Sequence, residues 1–196
     1  IVEAFIHAGA AQDTEVKLRW IYSGELTESN LAESFKGIDG MLIAPGFGDR
    51  GIEGKILAAK FARENRIPLL GICLGMQIMT IEFARNVLGY RDANSSEFDL
   101  TTKYPVISIM EEQKNIVEKG GTMRLGAWKC QLKPNTTLFE IYGAKNITER
   151  HRHRYEFNSE FLEDFENNGL QASGVNPDTK LVETVELKNH PFYVGV

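Results

Sequence analysis

The segment Pro68–Gln77 constrains the fold of this chain more than any other, because a cysteine there joins a short apolar run to a long helical pattern. The apolar residues before the cysteine are typical of the end of a buried parallel strand, and Leu74–Leu88 predicts the helix that follows. Gly71 and Gly75 lie two residues on either side of Cys73, which is the spacing that a sharp strand-to-helix turn needs. Such a turn forces its central side chain outward, so the segment predicts an exposed nucleophile.

The two cysteines have different surroundings. Cys73 is predicted to lie at the positive end of a helix, where the thiolate is favoured, so we expect its pKa to be lowered. No motif surrounds Cys130, and we expect it to be a structural residue. Two cysteines without a signal peptide do not make a disulfide framework, and this indicates the reducing cytoplasm.

Helical and strand patterns alternate along the first half of the chain, as in a doubly wound α/β layer. A helical pattern opens the chain and ends near Gly9. The further elements predicted are a strand at Val16–Tyr22, a helix at Thr27–Phe35 capped by Thr27 or Ser29, a strand at Gly40–Ala44 and a helix at Ile52–Glu64. These patterns predict a mostly parallel central sheet flanked by helices.

The second half contains short strand patterns separated by turns, which predict extra antiparallel strands. They lie at Tyr104–Met110, Lys129–Leu132, Thr148–Phe157, Gly169–Gly174, Leu181–Leu187 and Phe192–Val196. The polar segment Glu111–Gly121 is predicted to be a mobile loop. Residues 1–196 have the length of a single domain.

Composition excludes several classes of function. The net charge of −5 argues against a general nucleic-acid binder, and no apolar run approaches the roughly 20 residues of a membrane span. The chain has no initiator Met and stops within the alternating pattern that ends at Val196. We therefore expect it to be a piece of a longer polypeptide.

Five motifs carry a resemblance to a known family. They are APGFGDRG at 44–51, GICLGMQ at 71–77, ANSSEF at 93–98, GGTMRLG at 120–126 and ERHRHRYEFN at 149–158. The cysteine turn alone resembles any class I glutamine amidotransferase. The last two motifs are far more specific, and the chain resembles the glutaminase domain of the CTP synthases over nearly its whole length.

This resemblance implies a flavodoxin-like fold and hydrolysis of L-glutamine to glutamate and ammonia through a γ-glutamyl thioester on Cys73. It also implies that the ammonia passes to a separate N-terminal synthetase domain, which uses ATP and Mg to convert UTP to CTP, with GTP as an activator. The full-length enzyme is expected to be a homotetramer. This domain is expected to hold no metal or cofactor, and the sequence contains no P-loop.

The resemblance also assigns roles to individual residues. The backbone N–H groups of Gly46 and Leu74 would bind the oxyanion; Pro45 replaces a family glycine and has no N–H. Arg154 would bind the α-carboxylate of glutamine, since its planar fork donates two parallel hydrogen bonds. The other predicted substrate-binding residues are Glu97, for the α-ammonium group, and Phe47, Gly75, Met76 and Gln77.

Arg50, Glu53 and Gly54 match a loop near the GTP effector site of the family, although a solvated helix start explains them equally well. The His and Glu that complete the family's catalytic triad follow the last strand, beyond Val196. None of the four histidines present matches that position: His7, His151, His153 and His190. We therefore expect the chain alone to have little glutaminase activity.

Several alternatives remain open. The chain could be the glutaminase subunit of another amidotransferase, such as that of GMP or anthranilate synthesis, although GGTMRLG and ERHRHRYE argue against this. It could also be a non-catalytic glutaminase-like binding module. A cysteine hydrolase or chaperone of the same architecture would lack the pair Glu97 and Arg154. The basic run His151–Arg154 is interpreted as part of the pocket wall rather than as a nucleic-acid patch or metal pair.

Overall fold

The computed structural model of the protein describes residues 1–109 and 124–196. Its helices are α1 Val2–Ala11, α2 Leu31–Ser34, α3 Ile52–Glu64, α4 Leu74–Asn86, α5 Thr137–Tyr142 and α6 Leu162–Asn167. Its strands are β1 Met41–Ile43, β2 Leu69–Gly71, β3 Asn94–Ser95, β4 Pro105–Ile109, β5 Arg124–Leu132, β6 Asn146–His153, β7 Tyr155–Phe157, β8 Leu170–Val175, β9 Val182–Leu187 and β10 Tyr193–Gly195. The predicted mobile loop Glu111–Gly121 lies outside the described residues.

Within residues 1–109 and 124–196, two sheets form the framework of the domain. The larger has the strand order β1-β2-β10-β9-β8-β5-β6, and the smaller has the order β3-β4-β7. Strands β1, β2 and β10 are parallel to one another, whereas β9, β8, β5 and β6 extend the larger sheet by antiparallel pairing. The predicted α/β architecture with antiparallel strands in the second half is confirmed.

Helix α4 lies between the two sheets, where it packs against β1, β2 and β10 on one side and β3, β4 and β7 on the other. This position explains why its sequence is apolar around most of its circumference. Every residue of α4 from Leu74 to Ala84 except Gln77 is buried. The cysteine that precedes this helix is therefore attached to a helix buried between the two sheets.

Two predicted elements in the first half were wrong in position or length. Val16–Tyr22 is not a strand, because it pairs with no strand among the described residues, and its Trp20 is 73% exposed. The helix predicted at Thr27–Phe35 is reduced to α2. The Asn30 side chain accepts from the Thr27 N–H and donates to the Glu25 carbonyl, and these two bonds hold the residues before α2 in a turn.

The single strand predicted at Thr148–Phe157 is two strands. Strand β6 belongs to the larger sheet and β7 to the smaller one, and Arg154 is the one residue between them. The strand predicted at Lys129–Leu132 begins earlier, at Arg124, because β5 pairs along its length with β6. As a result, the start of β5 lies beside the junction of β6 and β7, because Arg124 pairs with His153.

Candidate active site

Cys73 occupies a strained turn between β2 and α4. Its φ of 56° and ψ of −107° are sparsely populated by L-residues, and such strain is typical of functional turns. The turn depends on its glycines. A Cβ at Gly71 would lie 2.4 Å from the Met79 sulfur, and one at Gly75 would lie 2.3 Å from the carbonyl oxygen of Ile43. The sequence therefore predicted the sharp strand-to-helix turn correctly.

Two backbone groups act on the Cys73 thiol. They are the N–H groups of Leu74 and Gly46, and each lowers the pKa of the thiol as a hydrogen-bond donor. These are the two groups assigned to the oxyanion on the basis of resemblance. A Cβ at Gly46 would lie 3.3 Å from the end of the Leu74 side chain, a close contact that a small shift of that side chain would relieve. The turn and the loop that follows β1 therefore bring a nucleophile and two backbone N–H groups together.

The expectation of a lowered thiol pKa was wrong. Burial raises the pKa of Cys73 above its ordinary value, and the nearby carboxylates of Glu156 and Glu97 raise it further. The hydrogen bonds from the two backbone N–H groups oppose this rise without overcoming it. The helix start alone thus does not activate the thiol, and its nucleophilic form needs a base or a nearby cation.

A cleft of about 240 Å³ opens over the thiol. It brings together six of the predicted site residues with three others, and is lined by Gly46, Phe47, Cys73, Gln77, Glu97, Arg152, His153, Arg154 and Tyr155. Leu74 and Met76 are buried beneath it, and Gly75 packs against β1. Gly75 and Met76 therefore support the turn and are not among the residues that line the cleft.

The walls of the cleft are held by specific contacts. The Gln77 side chain donates to the Tyr155 carbonyl at 2.9 Å, and a carboxylate oxygen of Glu97 accepts from the Gly48 N–H at 3.4 Å. Phe47 lies at the cleft mouth, and the Arg152 guanidinium is 5.5 Å from the centre of its ring. The sequence analysis placed Arg152 and His153 in the pocket wall, but it missed Tyr155. Position 155 lies beside Arg154 and carries the carbonyl that orients Gln77.

A buried ionic cluster lies behind the cleft and was not foreseen. Arg124 is 3% exposed and donates to both carboxylate oxygens of Glu183 at 2.6 Å. Its Nε lies 3.1 Å from a carboxylate oxygen of Glu156. Arg124 and Glu156 belong to the motifs quoted above, so the signal was present in the sequence. Their mutual contact depends on the pairing of distant strands.

Burial governs the charges around this cluster. It raises the pKa of Glu156 to about 7, although Arg124 acts in the opposite direction. Burial also lowers the pKa of His153 to about 4, with His151 and Arg124 contributing. Burial also lowers the pKa of His151, and its Nδ1 lies 2.9 Å from the Arg124 guanidinium. The lowered pKa values make both histidines weaker bases than a free imidazole.

The three residues assigned to an effector region lie away from the cleft lining. Glu53 accepts two hydrogen bonds from Arg85, at 3.0 and 2.9 Å. Gly54 is required for packing, because a Cβ there would collide with the Ser23 carbonyl. The Arg50 carbonyl accepts from Lys55 at 3.5 Å. These contacts explain Glu53 and Gly54 by structure alone, and the effector role stays a prediction.

The family model for class I glutamine amidotransferases matches residues 1–196. A solved structure, the Trypanosoma brucei CTPS glutaminase domain with bound acivicin, is 37% identical with a TM-score of 0.93, covering 100% of this chain and 76% of that one. The chain belongs to the class I glutamine amidotransferases, as a glutaminase domain of the CTP synthase type. Two more distant structures, Thermotoga maritima and Thermoplasma acidophilum proteins at 14% and 16% identity, share the fold with TM-scores of 0.59 and 0.58.

Complete CTP synthases are also similar to this glutaminase domain. This chain is 60% identical to the CTP synthase of Flavobacterium johnsoniae and 54% identical to the CTP synthase of Bacillus subtilis, and it spans 36% of the length of each.

Within residues 1–109 and 124–196, no helix is long and apolar enough to cross a bilayer. The same residues contain no group of three or more His, Cys, Asp or Glu side chains that could hold a metal ion.

Proposed function

We propose that this domain hydrolyses L-glutamine and supplies the ammonia to the synthetase domain of a CTP synthase. The observation that carries the proposal is the position of Cys73, which lies at a strained turn, lines the cleft together with Gly46, and has its thiol pKa lowered by the N–H groups of Leu74 and Gly46. A nucleophile and backbone donors for an oxyanion are the parts that acyl transfer requires. The cleft above them has the charged groups that an amino acid needs for recognition.

In the proposed reaction, the Cys73 sulfur attacks the side-chain amide carbon of glutamine, and its proton passes to a base. The carbonyl oxygen becomes an oxyanion that accepts from Leu74 and Gly46. Collapse of this intermediate breaks the C–N bond, the base returns the proton to the departing nitrogen, and ammonia leaves. Water then attacks the γ-glutamyl thioester and releases glutamate and the free thiol.

The base is proposed to be the His implied by the family resemblance, after Val196. The placement of this His is supported by the hydrogen bonds of Val196. The Cys73 N–H donates to the Val196 carbonyl at 2.6 Å, and the Val196 N–H donates to the Gly71 carbonyl at 2.8 Å. A residue that followed Val196 would therefore emerge beside the thiol. A base there would offset the raised pKa of Cys73.

Glutamine is proposed to bind with its α-carboxylate at Arg154 and its α-ammonium group at Glu97, both of which line the cleft. Further proposals rest on the family resemblance alone. They are a cytoplasmic homotetramer as the full-length enzyme, ATP and Mg in its synthetase domain, and GTP as an effector near Arg50, Glu53 and Gly54.

The proposal is tested in the full-length synthase by replacing the nucleophile. Cys73→Ala should abolish CTP formation from glutamine and leave CTP formation from added ammonia unchanged, because the second reaction needs no glutaminase. Acivicin, a glutamine-like electrophile, should add one label to the wild type and none to Cys73→Ala. Cys130→Ala is the matched control and should still be labelled. Glutamine-dependent activity in Cys73→Ala would refute the proposed nucleophile.

A further inference from the structure

Arg154 lies at a corner where the chain passes from one sheet to the other. The preceding residue, His153, ends β6 in the larger sheet, and the following residue, Tyr155, begins β7 in the smaller sheet. The position of the Arg154 backbone therefore depends on the angle at which the two strands meet. Nothing in the local sequence fixes that angle, because each strand is held by a different set of partners.

A single buried cation spans this corner. Arg124 is the first residue of β5 and lies opposite His153 in the register of β5 and β6. Its guanidinium contacts Glu156, which is on β7, at 3.1 Å and Glu183, which is on β9, at 2.6 Å. The Glu156 contact is a close ion pair rather than an aligned hydrogen bond, whereas the Glu183 contact is bidentate. One side chain thus ties both sheets together on either side of Arg154.

The cluster is buried and crowded, which restricts the motion of its side chains. Arg124, Glu156 and Glu183 are all less than 8% exposed. Arg124 also lies 4.8 Å from the centre of the Trp128 ring, so its plane is fixed from more than one direction. A bidentate Arg–carboxylate pair constrains orientation as well as distance. The contacts of Arg124 therefore fix the relative positions of the strands on either side of Arg154.

We propose that Arg124 is a positioning residue, which through Glu156 and Glu183 sets the β6–β7 corner and so holds Arg154 in place for the α-carboxylate of glutamine. This inference rests on the proposed function, because it requires Arg154 to bind substrate. Arg124 itself is buried and is not among the residues that line the cleft. Its effect should therefore appear in amino-acid recognition rather than in the reactivity of the thiol.

The test uses Arg124→Lys in the full-length synthase. Lysine keeps the charge but not the planar fork, so the two carboxylates are no longer held at fixed angles. Inactivation by acivicin gives a binding constant, KI, and a maximal rate, kinact. Alkylation by iodoacetamide, which lacks amino-acid groups, reports the thiol alone. We expect KI for acivicin to rise about 10-fold, which corresponds to the loss of one charged hydrogen bond. We expect kinact for acivicin and the rate of iodoacetamide alkylation each to change less than about threefold.

Arg63→Lys is the matched control. Arg63 makes a similar bidentate pair with Glu82, which is 0% exposed, but this pair lies between α3 and α4, away from the cleft. A rise in KI for Arg63→Lys equal to that for Arg124→Lys would overturn the proposal, as would an unchanged KI in Arg124→Lys. A parallel loss of iodoacetamide reactivity would also overturn it, because it would indicate general damage to the cleft.

Two further variants keep the test decisive. If Arg124→Lys does not fold, Glu156→Gln preserves the shape of the side chain and should raise KI in the same direction. In an Arg154→Met background, Arg124→Lys should have no further effect on KI, because a positioning residue acts only through its target. Additive effects in the double variant would refute the link to Arg154. Failure of acivicin to label the wild type at Cys73 would instead refute the proposed function.

Discussion

Replacement of Gly75 by alanine should separate the glutaminase from the synthetase reaction. The new Cβ would lie 2.3 Å from the Ile43 carbonyl oxygen, whereas ordinary contacts of this kind begin at 3.4 Å. The start of α4 must therefore move from β1 by about 1 Å, and a displacement of that size at a reacting group costs on the order of 100-fold in rate. Overpacking costs about 1–3 kcal/mol, which the higher helix propensity of alanine partly offsets, so the protein should still fold.

The assay is CTP formation by the full-length synthase with either glutamine or ammonia as nitrogen donor. Gly75→Ala should lower kcat/KM for glutamine about 100-fold and leave the ammonia reaction unchanged. Gly40→Ala is the matched control, because its Cβ would meet its nearest neighbour, the Pro68 carbonyl oxygen, at 3.5 Å. A Gly75→Ala enzyme within threefold of wild type on glutamine would show that close packing of α4 against β1 does not set the position of the thiol.

Four other outcomes follow from the site. Gly46→Pro, which removes a backbone donor, should lower kcat for glutamine about 10²–10³-fold, and Gly46→Ala should stay close to wild type. Glu97→Ala should raise KM for glutamine about 10- to 100-fold without slowing iodoacetamide labelling of the thiol. The rate of iodoacetamide labelling of Cys73, followed by mass spectrometry in this 196-residue chain, should still rise with pH past about 8.5, because burial raises the pKa of Cys73. A rate that reached a plateau below that pH would contradict the raised pKa. Burial lowers the pKa of His153 from 6.5 to about 4, so the folded protein binds fewer protons than the unfolded chain and loses stability as the pH falls through this range. His153→Gln should make that loss shallower in urea titrations, with exposed His7→Gln as control.

The fold could be predicted best where short-range rules decide it. The bounds of α3 were predicted to the residue, because its periodic apolar face and the Pro68 region that follows leave no alternative. The turn at Cys73 was predictable because only glycine fits at positions 71 and 75. Predictions failed where pairing partners decide the outcome, as at Val16–Tyr22, whose alternating pattern finds no neighbouring strand among the described residues.

The candidate site shows the same division. Motif positions identified Cys73, Phe47, Gln77, Glu97 and Arg154, and the fold brings all five to one cleft. Tyr155 was missed, because its contribution is a backbone carbonyl that any residue type could provide. The direction of the thiol pKa was predicted wrongly for a related reason. The helix start is a local feature, whereas the burial that outweighs it comes from distant segments.

The sequence by itself determined the turn that presents Cys73, since it places glycines two residues on either side of the cysteine, and the flanking motifs determined the family. Only the tertiary structure decided how the site around that turn is supported. It broke one predicted strand into two at Arg154 and buried Arg124 between two carboxylates from separate strands. The physical reason is that turn geometry is a property of adjacent residues, whereas burial and ion pairing depend on which distant segments meet.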